Sequence, residues 1–598
     1  MKTLKPVGEA ATIPELFHLR VQHTPEAVAY EYKKDGTWVA VTYAEYGRLV
    51  REAAAGFYAL GVRRGDAVAI WGETTPEWTI LDLGAMTAGA QVAGIYQTST
   101  IEQATHILNN AQATWLCVDT PERLEKGLEI APNTPTLRGI LYWGEGDPAH
   151  DDVITYASLF DRGREVLAQQ PDLYERMVAA VSPEDMAVLI YTSGTTGLPK
   201  GVMLTHENCM TNAKRLFESE IVEEGDSMIA FLPMSHVAEH TSQFLGRILG
   251  GLTAYFCPDY SKLGEVLTEK KPTILIGVPR VFEKIYHRVM TGVRAAPKAK
   301  QRLFFWALDI GHQVAKCKEF QRPIPTTLAV KHALADRLVL SKIREALGGR
   351  LRIIGCAAAP IDVKIIDFFM ASGILFLEAY GLSECGGASH CNRPSAYRVG
   401  TVGKPVPGCE CKIAEDGEIL LRSPAVFRGY LGMPEETREV LDEDGWLHTG
   451  DIGEVDADGF LRITDRKKNL IITAGGKNVA PAPIETLIKR DPIVNQVVVL
   501  GDRKPYLVAL VTVSHDYVQS QGLTQEEVRA RVAHAVAEAN KHLARFEQVK
   551  RFAVLEREFS VDSGEMTPTL KIKRNVVAKH YADIIESLYT SSEQALAG

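Results

Sequence analysis

No run of about 20 apolar residues occurs anywhere in this 598-residue chain, so no segment is expected to cross a bilayer as a helix. An excess of basic charge is also missing. Asp and Glu number 75 against 66 Lys and Arg, and a net charge of −9 argues against nucleic acid as a partner, which selects basic faces. The opening MKTLKPVGEA has no apolar core of signal-peptide length, and a cytoplasmic protein is expected. Zinc spacing is absent too. The nine cysteines are scattered, and Cys409 and Cys411 are separated by one residue, not two, with no second pair to answer them. Reduced thiols are expected. The chain does have length and a 46% hydrophobic share, too much for one core, so at least two domains follow.

From Ile13 to about Ala180, short apolar strands alternate with helical runs. Ala67–Trp71 and Thr114–Val118 read as strands, and the small-residue segment Ile80–Ala93 between them reads as a closely packed helix. Such alternation predicts a layered α/β fold. The most informative stretch follows the apolar run Ala187–Ile190. It is Tyr191 to Gly201, YTSGTTGLPKG. Gly194, Gly197 and Gly201 let the backbone approach a ligand closely. Thr192, Ser193, Thr195 and Thr196 add hydroxyls, and Lys200 adds a cation. That is the chemistry of a loop that wraps a polyphosphate. It is not the Walker pattern, because Gly201 follows Lys200 where Ser or Thr is required.

Downstream, MIAFLPMSHVAEH carries His236, Glu239 and His240 in the order H-x-x-E-H, which superficially matches an inverted zincin helix. Pro233 just upstream and the lack of a further ligand helix weigh against a metal, and a satisfied structural histidine is the plainer alternative. Thr273–Val278 reads as another buried strand. The stretch Glu283–Leu347 then holds thirteen Lys/Arg against five Asp/Glu, together with Leu303, Phe304, Phe305, Trp306 and Leu308. It reads as a basic helical insertion, either touching an anionic membrane or packing its aromatics onto the domain.

Further segments accumulate in a fixed order. GCAAAP at 355–360 follows the strand Leu351–Gly355, and its small residues leave room for a flat base. EAYGLSE at 378–384 offers the Tyr380 ring, the Ser383 hydroxyl and the hard oxygens of Glu384. GWLHTGD at 445–451 ends in a carboxylate able to accept two hydroxyls, and DRKK follows at 465–468. Gln496–Leu500 and Leu507–Val513 read as strands of a smaller unit, and Thr524 with Glu527 forms a capping-box helix start. Near the end, MTPTLKIKR spans 566–574.

Taken together these segments resemble those of the adenylate-forming (AMP-binding) enzymes, and most of all bacterial long-chain fatty acyl-CoA synthetases. The resemblance covers nearly the whole chain and implies ATP, Mg²⁺ and coenzyme A. It implies a large layered α/β N-terminal domain, residues 1–466, with the insertion at about 283–347. A small mobile α+β domain, 467–598, follows a hinge near Lys468. It assigns the phosphate loop to residues 192–197 and Lys200, and Mg²⁺ to Thr192 and Glu384. The nucleotide falls to Gly355, Ala357, Ala379, Tyr380, Gly381 and Ser383, with Asp451 and Arg466 on the ribose. His236 and Val278 go to the acyl site, and Gly475 and Gly476 to the CoA channel. Aligning K-I-x-R makes Lys571 the catalytic lysine, although the usual preceding Ser-Gly is missing and Lys573 lies two residues away. The implied reaction activates a fatty acid as acyl-AMP and transfers it to CoA. Transfer to an acyl carrier protein is one rival, and a catalytically silent nucleotide-binding scaffold is another.

Overall fold

The computed structural model describes residues 10–590 apart from 147, 149, 151, 152, 193–197, 475, 476, 562 and 568–570. Seven strands make one sheet in the order Val153–Thr155, Gly139–Tyr142, Ala113–Val118, Ala67–Trp71, Gln91–Ile95, β1 (Met186–Thr192) and β2 (Lys200–Thr205). Neighbours run parallel except β1 and β2, which form an antiparallel pair. Every residue of Ala67–Trp71 and Ala113–Val118 is buried, as expected of parallel strands covered on both faces. The helix read over Ile80–Ala93 needs correction. It spans Pro76–Thr87, where the Thr75 hydroxyl accepts from the Trp78 N–H, and Gln91–Ile95 is a strand. Gly89, at φ +93°, makes the turn between them, and a Cβ there would lie 2.9 Å from the Arg64 Cα.

Nine strands form the second sheet, whose central members are parallel. Its strand Ile274–Gly277 leads into a helical excursion: α1 (Pro279–Ala295), α2 (Lys298–Glu319) and α3 (Thr326–Ala335). The chain returns through β3 (Ile353–Cys356), α4 (Val363–Ala371) and β4 (Leu375–Leu382). The excursion is neither wholly docked nor wholly free. Phe304, Ala307, Ile310, Gly311, Val314 and Ala315 of α2 are buried, and a Cβ on Gly311 would meet the Ala371 carbonyl oxygen at 2.1 Å. In contrast, α3 and the π-helical turn Asp336–Leu340 that continues it leave Val330, Leu334 and Leu338, spaced four residues apart, exposed to solvent.

A four-stranded antiparallel sheet follows, ending in β5 (Leu447–Val455) and β6 (Leu461–Arg466). Beyond it, α5 (Pro481–Ile488) and the helix Gln525–Asn540 pack on a three-stranded sheet of Val494–Leu500, Leu507–Val513 and Val549–Val554. The expected capping box is present, with the Thr524 hydroxyl accepting from the Glu527 N–H and Glu527 reaching back to the Thr524 N–H. Val528, Val532, Ala535, Val536 and Ala539 seal a core separate from that of the large sheets. The result is a large layered α/β unit joined to a small α+β unit. The carboxyl ends of β1, β3, β4 and Ile274–Gly277 are where an open parallel sheet receives ligands.

Candidate active site

Thr192 and Lys200 are cross-strand partners on the β1–β2 hairpin. The described ends of the YTSGTTGLPKG motif therefore face each other, the Thr192 hydroxyl on one strand and the Lys200 cation on the other. Ser193, Gly194, Thr195, Thr196 and Gly197 lie outside the described residues, as do Gly475 and Gly476. The Lys200 ammonium sits 5.0 Å from the centroid of the Tyr430 ring.

Gly355 is the penultimate residue of β3, and Ala357 follows its end, its N–H donating to the Gly277 carbonyl at 3.3 Å. Ala358 then takes φ +80°, a conformation that a residue bearing a Cβ adopts only where the surroundings hold it. Ala379, Tyr380 and Gly381 end β4, and Ser383 begins the short 3₁₀ turn Ser383–Cys385 that carries Glu384. A bulge falls between Tyr380 and Gly381, where a Cβ on Gly381 would lie 1.8 Å from the Gly387 carbonyl oxygen. Only glycine fits there.

Asp451 and Arg466 face each other across β5 and β6. Asp451 is 4% exposed, and its carboxylate accepts from the Tyr380 hydroxyl at 2.6 Å while lying 3.1 Å from the Arg466 Nε. Two oxygens with two lone pairs each retain acceptor capacity beyond these partners. Glu384 Oε1 accepts from the Tyr430 hydroxyl at 2.8 Å. Lys468 lies in the 3₁₀ turn Lys467–Asn469 after β6, where crowding, then Arg466, lowers its ammonium and Asp451 and Glu384 oppose the shift.

Lys571 reaches this cluster from the small unit. The Thr567 N–H donates to its carbonyl at 2.7 Å, and its own N–H donates to the Thr567 hydroxyl at 3.0 Å. The residue keeps accessible surface although protein groups surround its ammonium. Desolvation by the cleft walls, then Arg466, pushes its ammonium down to about 8, with Asp451 and Glu384 raising and Lys468 lowering it. Lys573 instead forms the N-terminal boundary of the helix Arg574–His580, its N–H donating to the Glu565 carbonyl at 2.7 Å. The geometry thus brings Lys571, not Lys573, to the nucleotide segments. His236 feels Lys571 as well. Burial first, and that lysine second, lower its imidazole to about 3, and its Nδ1 accepts from the Ala238 N–H at 3.1 Å. Val278, half-buried, caps α1 at the end of the strand Ile274–Gly277.

Four cations (Lys200, Arg466, Lys468, Lys571) thus gather around two carboxylates (Glu384, Asp451). A surplus of positive charge in an open cleft matches a polyanionic ligand. For a divalent cation the Thr192 hydroxyl and Glu384 carboxylate are hard oxygen donors. Among the described residues no group of three or more His, Cys, Asp or Glu side chains could hold a metal ion. The pair fits Mg²⁺, which is ordinarily held by one or two protein ligands with phosphate oxygens and water completing its shell.

The H-x-x-E-H pattern is not a metal helix. His240 Nε2 lies 3.0 Å from Asp82 Oδ2, Arg247 donates to Glu239 at 2.7 Å, and Ala238–Phe244 is π-helical, which turns His236 and His240 toward different neighbours. Sequence reasoning missed three residues at the site. Glu378, half-buried in the middle of β4, accepts from the Gly400 N–H, and burial raises its carboxyl to about 8. Asp465 accepts from the Ala482 N–H at 3.0 Å, tying the end of β6 to α5. Tyr430 touches both Lys200 and Glu384. A carboxyl set between an apolar strand and Tyr380 was a signal for Glu378. Nothing in the sequence marked Tyr430.

The two units meet beside the base segment. Arg490 forms a paired contact with Asp362 at 2.6 and 3.0 Å, Lys489 reaches Glu283 at 3.3 Å, and Arg280 donates to Asn495.

Family comparison agrees with this geometry. The AMP-binding enzyme model matches residues 17–431, and the AMP-binding enzyme C-terminal domain model matches residues 468–593. The chain belongs to the AMP-binding enzyme family. It is 37% identical to the long-chain-fatty-acid–CoA ligase FadD15 of Mycobacterium bovis, with 98% of each chain covered. It is 34% identical to the human long-chain-fatty-acid–CoA ligase ACSBG1, covering 97% of this chain and 85% of the relative. Among solved structures, the adenylation domain of a Mycobacterium chelonae carboxylate reductase superposes with a TM-score of 0.76 at 24% identity, covering 98% and 92% of the two chains. ATP-bound MatB of Rhodopseudomonas palustris superposes at 0.68 with 23% identity, covering 96% and 99%. These likenesses bear on the fold.

Proposed function

We propose that this enzyme activates a long-chain fatty acid with ATP and transfers the acyl group to coenzyme A, releasing AMP and pyrophosphate. The observation that carries the reading is Lys571, held by the small unit among Arg466, Lys468, Asp451 and Glu384, with His236 in its field. A carboxylate is a poor acyl donor because oxide would have to leave. In the first step its oxygen bonds to the α-phosphorus of ATP and the bond to pyrophosphate breaks. The barrier is mostly repulsion between anions, so positioned cations and donors supply the catalysis. Lys571 bridges carboxylate and α-phosphate, Lys200 and the phosphate loop hold the departing pyrophosphate, and Asp451 accepts from the ribose. Neutral His236 with Val278 borders the acyl group without adding a charge. Mg²⁺ held by Thr192 and Glu384 supplies charge screening of the phosphates. In the second step the CoA sulfur bonds to the acyl carbon and AMP leaves.

A lysine filling the cleft obstructs an incoming thiol. The domains are taken as 1–466 and 467–598, with rotation about Lys468 withdrawing Lys571 and Gly475 and Gly476 forming the CoA channel. The separate core of the small unit and its polar contacts with the large one support such a rigid-body exchange. The exposed Val330, Leu334 and Leu338, in a segment rich in Lys and Arg, support transient contact with an anionic bilayer where fatty acids partition. Among the described residues no helix is long and apolar enough to cross a membrane.

CoA-dependent AMP release is to be measured on saturated acids from acetate to stearate, with Mg²⁺ and ATP. An optimum at long chains is expected. Pyrophosphate exchange without CoA-dependent turnover would move the acceptor to a carrier protein, and no exchange with any acid would refute the adenylation chemistry.

A further inference from the structure

The Phe427–Leu431 segment is stitched to both halves of the phosphate site. The Phe427 N–H donates to the Glu384 carbonyl at 2.9 Å. On the other side the Leu431 N–H donates to the Gly201 carbonyl at 2.8 Å, and Arg428 and Gly429 exchange backbone bonds with Met203. Tyr430, 8% exposed, projects from this segment between two groups of opposite charge. Its hydroxyl donates to Glu384 Oε1 at 2.8 Å, and its ring face receives the Lys200 ammonium at 5.0 Å. Among the described residues, no other hydrogen bond reaches the Glu384 carboxylate and Lys200 forms no ion pair. A phenol hydroxyl facing a carboxylate oxygen is the donor of the pair.

We propose that Tyr430 is a positioning residue for the adenylation step, which fixes Glu384 for the divalent cation and keeps Lys200 apart from that carboxylate. This rests on the reading above. With Oε1 tied to the phenol, Oε2 is the oxygen presented to a cation. The second effect is equally physical. A lysine and a glutamate facing each other across an open cleft gain by pairing, and such a pair fills the volume that phosphate and cation need. The aromatic face attracts the ammonium without neutralising it. Lys200 therefore stays close at hand and unpaired by Glu384 for a phosphate.

The test compares Tyr430→Phe, which loses only the hydroxyl, with Tyr430→Leu, which also loses the ring. Cation binding is read by Mn²⁺ paramagnetic resonance with ATP present and no fatty acid. The same proteins are assayed for Mg²⁺-dependent pyrophosphate exchange and for thioester formation from supplied acyl-adenylate. For Tyr430→Phe we expect Mn²⁺ affinity, and the Mg²⁺ concentration for half-maximal exchange, to weaken about ten-fold, the scale of a lost hydrogen bond to a charged group. The thioester step stays at the parental rate. Tyr430→Leu is expected to raise the KM for ATP as well. The inference is overturned if folded Tyr430→Phe binds Mn²⁺ like the parent, or if both half-reactions fall together. Absence of Mg²⁺-dependent exchange in the parent would instead sink the adenylation reading itself.

Discussion

His236 and His240 stand four residues apart and live in opposite electrostatic worlds. His240 is sealed from solvent and faced by the Asp82 carboxylate, while Glu239 beside it is answered by Arg247, each carboxylate having a partner within 3.0 Å. His236 looks instead into a cleft where Lys200, Arg466, Lys468 and Lys571 outnumber Glu384 and Asp451. Both regions concentrate charge, and only the second leaves it unbalanced. Paired buried charge holds a fold together, whereas surplus charge in an open cleft calls for a ligand. The difference is sharpened most by Arg247→Met. Removing the cation strands the Glu239 carboxylate, whose pKa burial already raises, and stability is expected to fall by about 3–5 kcal/mol. The folded fraction should keep the parental ratio of adenylation to thioester formation. A changed ratio would mean that the paired region also takes part in the chemistry.

The cleft should behave the other way. Lys571→Ala is expected to leave stability nearly untouched and to slow adenylate formation by about 10²–10³, the scale of losing one preorganised charge donor. Thioester formation from supplied acyl-adenylate should be spared. Equal losses in both steps, or a larger effect from Lys573→Ala, would remove Lys571 from its role. Its depressed pKa gives a pH signature with a definite sign. The ammonium is the active form, so kcat/KM for adenylation falls as pH rises through the interval between about 8 and the ordinary lysine value of 10.5. Lys571→Arg stays charged throughout, and its profile should lack that fall even if its rate is lower.

The same contrast explains what could be read without coordinates. Features set by near neighbours were legible. The Thr524 capping box is present as read, and the ends of YTSGTTGLPKG and GWLHTGD fall on strands that put Thr192 opposite Lys200 and Asp451 opposite Arg466. Partnerships made over long distances were not. His240 meets Asp82 across 158 positions, and Tyr430 meets Glu384 across 46, so no spacing rule tells the histidine paired with Asp82 from the one near Lys571 or singles out the tyrosine. The choice between Lys571 and Lys573 likewise turns on backbone geometry, the hydrogen bonds between Thr567 and Lys571. The end of the Pro76–Thr87 helix was misjudged because Ala, Gly and Val suit either a tight helix or a buried strand, and the left-handed Gly89 decides between them.

The smallest effect, and the one that tests how the two regions are joined, lies at the seam between the units. Arg490 grips Asp362, which also caps α4 by accepting from the Lys364 N–H, just past the base segment. The contact exists when Lys571 is in the cleft and must break if the small unit rotates to admit a thiol. Arg490→Gln keeps the helix cap and removes the charge, so it weakens that arrangement alone. Arg490 is only partly shielded, which limits its worth to about 1 kcal/mol, a roughly five-fold slower adenylation with thioester formation unchanged or faster. Raising salt should slow the parent more than the variant, because the exposed side of the pair is screened. If Arg490→Gln slows both half-reactions alike at every ionic strength, the contact does not favour one arrangement over the other and the small unit is held in place by something else.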